Sequence, residues 1–255
     1  MPIFRKPSQS TSDLLASGVI AIAAASTLAP AAYADEVLYR ETFANTSGAG
    51  ASLDSVGWTY YLGPQGWSQD SNAATQGMIN EQRGAAADGS PVGSGTDDAT
   101  ELGYLINTLG PDGVGDDPYW NQVTLYVTEE PAIDLAEHPI AELRVDLAFS
   151  QPDTVRFVVR VDGRWFASQT AIEAQTIAGY GLYDKFQAEH SDIQLHVADA
   201  AWLPLSFMPG VTLGLDTSAP AVALPAKGTL DAVGLLIDPT GFEAFDNFEV
   251  IGHGH

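Results

Sequence analysis

Positively charged and aromatic side chains are concentrated in one short part of this acidic sequence. Eight of the ten Lys and Arg residues follow position 34, and four of those eight lie between positions 144 and 164. Arg156, Arg160 and Trp165 should share one face if this segment forms a β-hairpin. An indole ring beside guanidinium groups suits a sugar ring, above all one that carries carboxylate or sulfate groups. The alternative is a solvated sheet surface on which the arginines pair with neighbouring aspartates.

Other aromatic residues lie among turn-forming residues. Trp67 is in the segment GPQGWSQD, and Tyr119 and Trp120 are in DDPYWN. Aromatic side chains on loops often form ligand platforms, and they serve about as often as packing lids. The candidate ligand-binding residues are therefore Arg156, Arg160, Trp165, Trp67, Tyr119 and Trp120.

Two groups of residues could bind a metal ion. Three carboxylates are interspersed with glycines in the turn from Asp112 to Asp117, and such oxygen ligands suit calcium. The Glu that completes an EF-hand loop is absent, so a plain acidic turn is the alternative. His253 and His255 could share one side of a terminal strand and bind a metal, although a frayed chain end explains them better.

The elements that must position these residues are short strands. Apolar and polar residues alternate with a period of two in many segments, which is typical of strands with one buried face. The predicted strands cover residues 36–43, 57–62, 103–107, 122–128, 142–149, 155–161, 231–238 and 244–251. The best candidate for a helix is the segment 167–176.

One β-hairpin is nearly explicit in the sequence. Only Asp162-Gly163 separates two alternating segments. Asp-Gly suits a type I′ turn, in which both central residues need a positive φ. A two-residue turn fixes the register, which here places Trp165 opposite Arg160 and Phe166 opposite Val159. Trp165 is therefore expected beside Arg160 on a partly exposed face, whereas Phe166 joins the apolar face.

Long loops connect the early strands. Residues 82–100 are rich in Gly, Ala, Ser and Asp, and residues 110–118 form another turn-rich stretch. No fixed-period repeat occurs, and no linker divides the chain. Many short strands, long loops and few helices predict an all-β fold, namely an antiparallel β-sandwich of jelly-roll type.

The amino-acid composition excludes several kinds of site and argues against one class of partner. The chain has no Cys, which excludes disulfides, thiol nucleophiles and Cys-ligated metals. Ten Lys and Arg residues stand against 33 Asp and Glu residues, so the net charge is −23. A surface of this charge repels phosphate, which argues against nucleic acid as a partner. The same surface attracts divalent cations.

The N-terminus has the three parts of a secretory signal peptide. Arg5 and Lys6 give a short basic start, residues 14–28 are almost all small or apolar, and Ala32-Tyr33-Ala34 is an A-x-A cleavage pattern. The apolar stretch is shorter than the roughly 20 residues that span a bilayer. We therefore expect the first 34 residues to be removed. Residues 35–255 should then form a single domain without a membrane anchor, secreted, periplasmic or at the cell surface.

The two ends of this domain resemble a known group of proteins. The segments Arg40-Glu41-Thr42-Phe43, Val56-Gly57-Trp58 and Asp246-Asn247-Phe248-Glu249-Val250 resemble those of secreted bacterial sandwiches of the concanavalin A-like (laminin G-like) or carbohydrate-binding-module kind. In those proteins the first and last strands lie side by side, and acidic residues often hold a structural calcium there. The resemblance implies a β-sandwich and makes Glu41 and Asp246 the expected calcium ligands.

Catalysis on such a fold would need two convergent carboxylates. Retaining glucanases of the concanavalin A-like class carry them in the strand motif E-[IL]-D-x-x-E, where two carboxyl groups about 5 Å apart act as nucleophile and acid/base. The nearest match runs from Ala132 through Asp134 to Glu137, so alanine stands at the nucleophile's position. Glu130 lies two residues early, and Pro131 breaks the strand between them. The segment is therefore expected to be a loop with solvated acids.

The sequence thus favours a secreted, calcium-stabilised β-sandwich that binds carbohydrate without cleaving it, and an anionic polysaccharide is one candidate ligand. Two other functions stay open: a polysaccharide-cleaving hydrolase or lyase on the same fold, and a structural or adhesive cell-surface protein. An enzyme needs catalytic residues that converge in one cleft. A structural protein needs no cleft lined by aromatic side chains, and the fold alone does not decide among the three.

Overall fold

A computed structural model describes nine stretches of the chain. They are residues 35–43, 51–63, 67–68, 78–80, 104–106, 123–149, 154–177, 189–238 and 243–254. Several sequence predictions lie outside the described residues: the signal peptide over residues 1–34, the turn from Asp112 to Asp117, and the residues Tyr119, Trp120 and His255. Within the nine stretches, no helix is long and apolar enough to cross a membrane.

The described residues are organised almost entirely as strands. In chain order these are β1 (Glu36–Glu41), β2 (Ala51–Ser52), β3 (Trp58–Leu62), β4 (Trp67–Ser68), β5 (Met78–Asn80), β6 (Tyr104–Ile106), β7 (Thr124–Thr128), β8 (Ile133–Asp134), β9 (Ile140–Phe149), β10 (Val155–Val161), β11 (Arg164–Ser168), β12 (Gln175–Thr176), β13 (Ser191–His196), β14 (Trp202–Met208), β15 (Thr212–Leu215), β16 (Thr229–Ile237) and β17 (Glu243–Gly252). One turn of 3₁₀-helix, Leu53–Val56, precedes β3.

These strands form two sheets, which we call sheet A and sheet B. The order in sheet A is β12-β9-β17-β6-β5-β2, with β1 beside β17 and β13 beside β9. The order in sheet B is β15-β14-β11-β10-β16-β7-β3-β4, with β8 beside β16. Among the described strands only the short pairing of β12 with β9 is parallel. The antiparallel β-sandwich predicted from the sequence is therefore confirmed.

The main core lies between the two sheets and is rich in aromatic rings. Phe43 packs edge to face on Phe245 with ring centroids 5.4 Å apart, and Trp58 packs on Phe248 with centroids 5.3 Å apart. The indole N–H of Trp58 donates to the hydroxyl of Tyr39 over 2.9 Å, which satisfies a buried donor. Burial raises the pKa of Tyr39 to about 12. These contacts join β1 and β17 in sheet A to β3 in sheet B.

The helix predicted for residues 167–176 is wrong. Ser168 ends β11, Ile172 forms an isolated bridge with Val155, and the segment closes with β12. The N–H of Ile172 donates to the carbonyl of Val155 over 2.7 Å. The backbone of this segment therefore finds hydrogen-bond partners on β9 and β10, and a helix is not needed to satisfy it.

The β10–β11 hairpin is confirmed in both turn type and register. Asp162 has a φ of 49° and Gly163 a φ of 72°, as a type I′ turn requires. Arg160 lies opposite Trp165, and Val159 lies opposite Phe166. The Asp162 carboxylate also accepts the N–H of Thr229 over 2.9 Å. This bond fixes the turn to the start of β16.

Sheet B is buried on both faces, whereas the alternating pattern predicted strands with one buried face. All five residues of β7 are buried. The face that points away from sheet A carries a second apolar cluster, formed by Leu125, Val127, Val158, Trp165, Ala167, Leu205, Leu213, Ala232 and Leu236. Leu205 and Leu213 come from the β14–β15 hairpin, which folds over this face. We call this surface of sheet B the concave face.

Candidate functional site

The two ends of sheet B meet across the concave face. Tyr61 lies on β3 and Phe207 on β14, five strand positions away in the order of sheet B. Five spacings in a flat sheet amount to about 24 Å, yet the two rings pack edge to face with centroids 4.7 Å apart. Phe207 also packs on Trp165 with centroids 5.2 Å apart. Sheet B is therefore strongly curled, and three aromatic rings lie inside the curl.

Arg160 lies at one edge of this aromatic group. Its guanidinium carbon is 5.1 Å from the centroid of the Trp165 ring. Arg160 donates from Nε to Asp231 over 2.6 Å and from Nη1 to Glu129 over 2.7 Å. Burial lowers the pKa of Arg160, but the hydrogen bonds and negative charges of Asp231 and Glu129 together outweigh burial and raise this pKa overall. Two carboxylates thus compensate the charge of Arg160. This arginine pairs with acidic neighbours, as the alternative of a solvated sheet surface expected.

Trp165 shares a face with Arg160, as predicted, but the expectation of partial exposure is wrong. Only 9% of Trp165 is exposed. The ring belongs to the second apolar cluster and is covered by Phe207 from the β14–β15 hairpin. The sequence placed the indole on the correct face, but it did not reveal the hairpin that covers it.

Arg156 lies on the concave face two positions before Val158 and forms one wall of a cavity of about 210 Å³. The cavity, which we call the Arg156 pocket, is lined by Thr154, Arg156, Leu215, Thr217, Leu236 and Asp238. Arg156 Nη1 donates to the carbonyl of Ser168 over 2.9 Å and to the carbonyl of Gln169. These bonds hold the guanidinium in place. Burial lowers the pKa of Arg156, and the charge of Asp238 opposes this effect.

The chemistry of the Arg156 pocket is mixed. Leu215 and Leu236 provide apolar surface, Thr154 and Thr217 provide hydroxyl groups, and the Arg156 and Asp238 side chains provide a charged donor and a charged acceptor. A sugar ring presents C–H groups on its faces and hydroxyl groups around its rim. Convergent polar groups around a small apolar patch are what such a ligand requires.

Arg160 and Trp165, the other predicted ligand residues of this hairpin, do not line the Arg156 pocket. Trp67 lies in β4 at the end of sheet B, opposite Leu62 in the register. Tyr119 and Trp120 lie outside the described residues. Tyr61 was missed, although it alternates with Trp58 and Leu62 along a predicted strand and so had to point away from the core. Phe207 had no such signal, because β14 was not predicted.

The predicted calcium ligands lie at the junction of the terminal strands. Glu41 lies opposite Phe248 in the pairing of β1 with β17, two positions from Asp246 along β17. Burial raises the pKa of Glu41, and the N–H of Phe43, which donates to its Oε1 over 2.6 Å, opposes this effect. Burial also raises the pKa of Asp246 well above its ordinary value, and the charges of Asp146 and Glu41 add to this effect.

Asp246 bears the stronger sign of a cation site. The residue is 1% exposed, its Oδ1 accepts the N–H of Asn247 over 2.7 Å, and its Oδ2 has no hydrogen-bond partner among the described residues. A buried carboxylate oxygen without a partner is costly, and such oxygens are the ligands that calcium prefers. Asp246 thus offers one buried oxygen of the kind that calcium binds, whereas the side-chain cluster of the described residues that could hold a metal is Asp146, His190 and Asp192.

Two further aspartates, Asp146 and Asp192, lie beside Asp246 on sheet A. Asp192, Asp146 and Asp246 occupy one row across the neighbouring strands β13, β9 and β17. His190 Nε2 lies 3.3 Å from Asp192 and 3.8 Å from Asp146. Burial raises the pKa of Asp146 to about 6, while the amide of Asn247 and the imidazole of His190 oppose that shift. The His190 imidazole thus lies within ion-pairing distance of both carboxylates.

The segment that resembles a catalytic strand does not form one. Only Ile133 and Asp134 are in a strand, the two-residue β8, rather than in a simple loop. The Asp134 carboxylate accepts the N–H of Ala136 over 2.8 Å, which caps the following turn. Ala132, Asp134 and Glu137 line an open groove of about 370 Å³ beside β1, on residues separate from the Arg156 pocket.

No protein-family model and no curated protein matches this chain. Several solved structures are similar to it. One is the family 11 carbohydrate-binding module of a cellulosomal cellulase of Clostridium thermocellum, with 10% identity, coverage of 85% of this chain and 96% of that chain, and a TM-score of 0.40. Another is CBM28, described as a carbohydrate-binding module specific for non-crystalline cellulose, with 12% identity, coverage of 87% and 98%, and a TM-score of 0.40.

A third similar structure comes from a different kind of protein. It is a cleaved adhesin domain of Lys-gingipain from Porphyromonas gingivalis, with 14% identity, coverage of 83% of this chain and 96% of that chain, and a TM-score of 0.32.

Proposed function

We propose that this protein is a carbohydrate-binding β-sandwich without catalytic activity and that the Arg156 pocket is its ligand site. The observation that carries the proposal is the composition of this pocket. Two leucines, two threonines and the Arg156–Asp238 pair converge on a cavity of about 210 Å³. Apolar surface for a ring face and fixed donors and acceptors for hydroxyl groups support a sugar as the ligand.

The charges around the pocket favour a neutral glycan over the anionic polysaccharide considered from the sequence. Arg160 is compensated by Asp231 and Glu129, and Arg156 faces Asp238. The chain as a whole carries a net charge of −23, which repels a polyanion. A hydroxyl-rich ligand can use the donor of Arg156 and the acceptor of Asp238 without bringing a further charge.

Calcium is the structural cofactor in this proposal. Glu41 and Asp246 would hold the ion, whose charge would compensate the buried Asp246 carboxylate at the junction of β1 and β17. The unpartnered Oδ2 of Asp246 supports this assignment. The ion would lie in the terminal-strand region and would act on stability, since the residues of the Arg156 pocket belong to sheet B and the segments beside it.

We also propose that the protein acts outside the cytoplasm. The basic start, the apolar stretch and the A-x-A pattern of the first 34 residues support export. A strongly acidic surface without Cys is compatible with a salty extracellular medium. N-terminal sequencing of the protein recovered from the native culture tests this part: the first residue should be Asp35.

A glycan array tests the function as a whole. The protein should bind a defined set of neutral glycans, and Arg156→Met should lose these signals, because the pocket loses its fixed donor. Arg164→Met is the matched control, since Arg164 is an exposed arginine of the same hairpin that does not line the pocket. Absence of binding to every neutral glycan would contradict the proposal.

A further inference from the structure

The β14–β15 hairpin leaves sheet B shortly after it begins. β14 pairs with β11 at Trp202, Leu203 and Pro204. Pro204, which has no N–H to donate, is the last residue of β14 in this ladder. From Leu205 onward the strand pairs with β15, with Leu205 opposite Leu215 and Met208 opposite Thr212. The hairpin is thus free of β11 and can bend over the concave face.

The bent hairpin covers the middle of the concave face. Leu205 is 6% exposed and Leu213 is 2% exposed, and both belong to the second apolar cluster. Phe207 reaches Trp165 on one side and Tyr61 on the other. A long chain molecule that lay across the strands of this face would have to displace the Phe207–Tyr61 contact.

The Arg156 pocket is a space that this cover leaves open. Leu215 and Thr217, at the end of β15 and just after it, face Arg156, Leu236 and Asp238 across the cavity. Its volume of about 210 Å³ corresponds to about seven water molecules. Pockets for drug-sized ligands hold about 300–1,000 Å³. The space suits a single sugar ring and does not suit a run of rings.

We infer that the Arg156 pocket binds the terminal residue of a glycan chain and does not bind residues in the interior of a chain. The inference rests on the proposed function and deepens it, because it states which part of the glycan is recognised. The walls from the sheet (Arg156, Leu236) and the wall from the hairpin (Leu215, Thr217) enclose one ring. The Phe207–Tyr61 contact closes the face along which further rings would extend.

Isothermal titration calorimetry with oligosaccharides of increasing length tests this inference. The probes are homologous β-linked gluco-, xylo-, manno- and galacto-oligosaccharides of two, four and six residues, titrated into the full chain in calcium. If the pocket takes the chain end, the series that binds should show one protein per chain at every length. Its Kd should change by less than about threefold, since further residues add little binding energy.

Two results would overturn the inference while leaving the proposed function intact. One is a Kd that falls more than about tenfold from two to six residues. The other is binding of more than one protein to each longer chain. Absence of binding to all four series would contradict the proposed function itself, and the inference with it.

A variant that fills the pocket gives an independent result. Thr217 is exposed and lines the pocket, so Thr217→Gln should fold normally and should abolish binding of the shortest oligosaccharide. Thr212→Gln, on the same hairpin but outside the pocket lining, is the matched control and should bind as the wild type does. Equal binding by both variants would overturn the assignment of the pocket.

Discussion

Phe207 and Tyr61 pack edge to face with ring centroids 4.7 Å apart, although their strands are five positions apart in sheet B. This contact shows that sheet B is curled and that its last hairpin crosses its own concave face. It also explains why sheet B, which sheet A covers on one face, is buried on its other face as well. The hairpin leaves the concave face open only at its margins, where the Arg156 pocket lies.

Because the β14–β15 hairpin covers Trp165, we predict that this residue stabilises the fold. Trp165→Ala should lower the free energy of unfolding by about 3 kcal/mol, because it removes a ring that is nine-tenths buried beneath Phe207. Urea-induced unfolding followed by circular dichroism measures the change. Val211→Ala, at an exposed position near the tip of the same hairpin, should stay within about 0.5 kcal/mol of the wild type. A Trp165→Ala loss below about 1 kcal/mol would contradict the burial of this ring.

Much of the fold could be predicted from the sequence because its strands alternate clearly. The strands predicted at residues 142–149, 155–161 and 244–251 lie within β9, β10 and β17, and the strand predicted at residues 231–238 matches β16 up to Ile237. The Asp162-Gly163 turn fixed a register that the structure reproduces at each of its four pairs. Local patterns of this kind depend on neighbouring residues alone.

The candidate site was less accessible to sequence reasoning. Phe207 covers Trp165 because β14 stops pairing with β11 after Pro204 and continues as a hairpin with β15, and local sequence patterns do not report such tertiary packing. β14 reads WLPLSFM, where the proline argues against a strand at all. Leu215 and Thr217 meet Arg156 only through that bend, and no local pattern links them.

Calcium removal tests the proposed cofactor. Binding to the native state alone should raise the free energy of unfolding by about 2.7 kcal/mol at a calcium concentration 100 times the Kd. The melting temperature should therefore fall in EDTA. Asp246→Asn should remove this difference, because the amide cannot replace a buried carboxylate ligand.

The same variant separates the loss of a ligand from the loss of a buried charge. In EDTA, Asp246→Asn should melt at or above the wild-type temperature, because it removes an uncompensated buried carboxylate. Glu137→Gln, at an exposed position, is the control and should keep the calcium effect. A wild-type melting temperature that is equal in calcium and in EDTA would disprove the calcium assignment.

Asp146 should make stability depend on pH. Burial raises the pKa of Asp146 from its ordinary value of 3.8 to about 6, so the folded protein retains a proton that the unfolded chain loses in this interval. Stability from this group is complete below about pH 4 and is lost as the pH rises to about 6. His190, Asp192 and Asp246 face the same group, and protonated His190 opposes the loss.

The measurement is urea-induced unfolding at several pH values across this interval, in EDTA. Asp146→Asn should show a smaller fall in the free energy of unfolding with rising pH than the wild type does. Asp199→Asn, in an exposed turn, should retain the wild-type slope. If Asp146→Asn keeps the full slope, the raised pKa of Asp146 is not its source.

The segment from Ala132 to Glu137 should perform no glycosidic chemistry. Asp134 caps a turn through its bond to Ala136, and alanine occupies the position that a nucleophile would need. The wild type should release no reducing sugar from soluble polysaccharides, and Asp134→Asn and Glu137→Gln should bind glycans as the wild type does. Hydrolysis that disappears in either variant, with the fold intact, would show that this segment is catalytic.

The most direct test of the account is the affinity of the Arg156 pocket for glycan. Calorimetric titration of the wild type, Arg156→Met and Arg164→Met with the neutral oligosaccharide that binds the wild type measures it. Loss of one charge-assisted hydrogen bond in the pocket should weaken binding by about 1.5–3 kcal/mol, or at least about tenfold, for Arg156→Met. Arg164→Met should bind as the wild type does. Equal affinity of Arg156→Met and the wild type would contradict the assignment of the site.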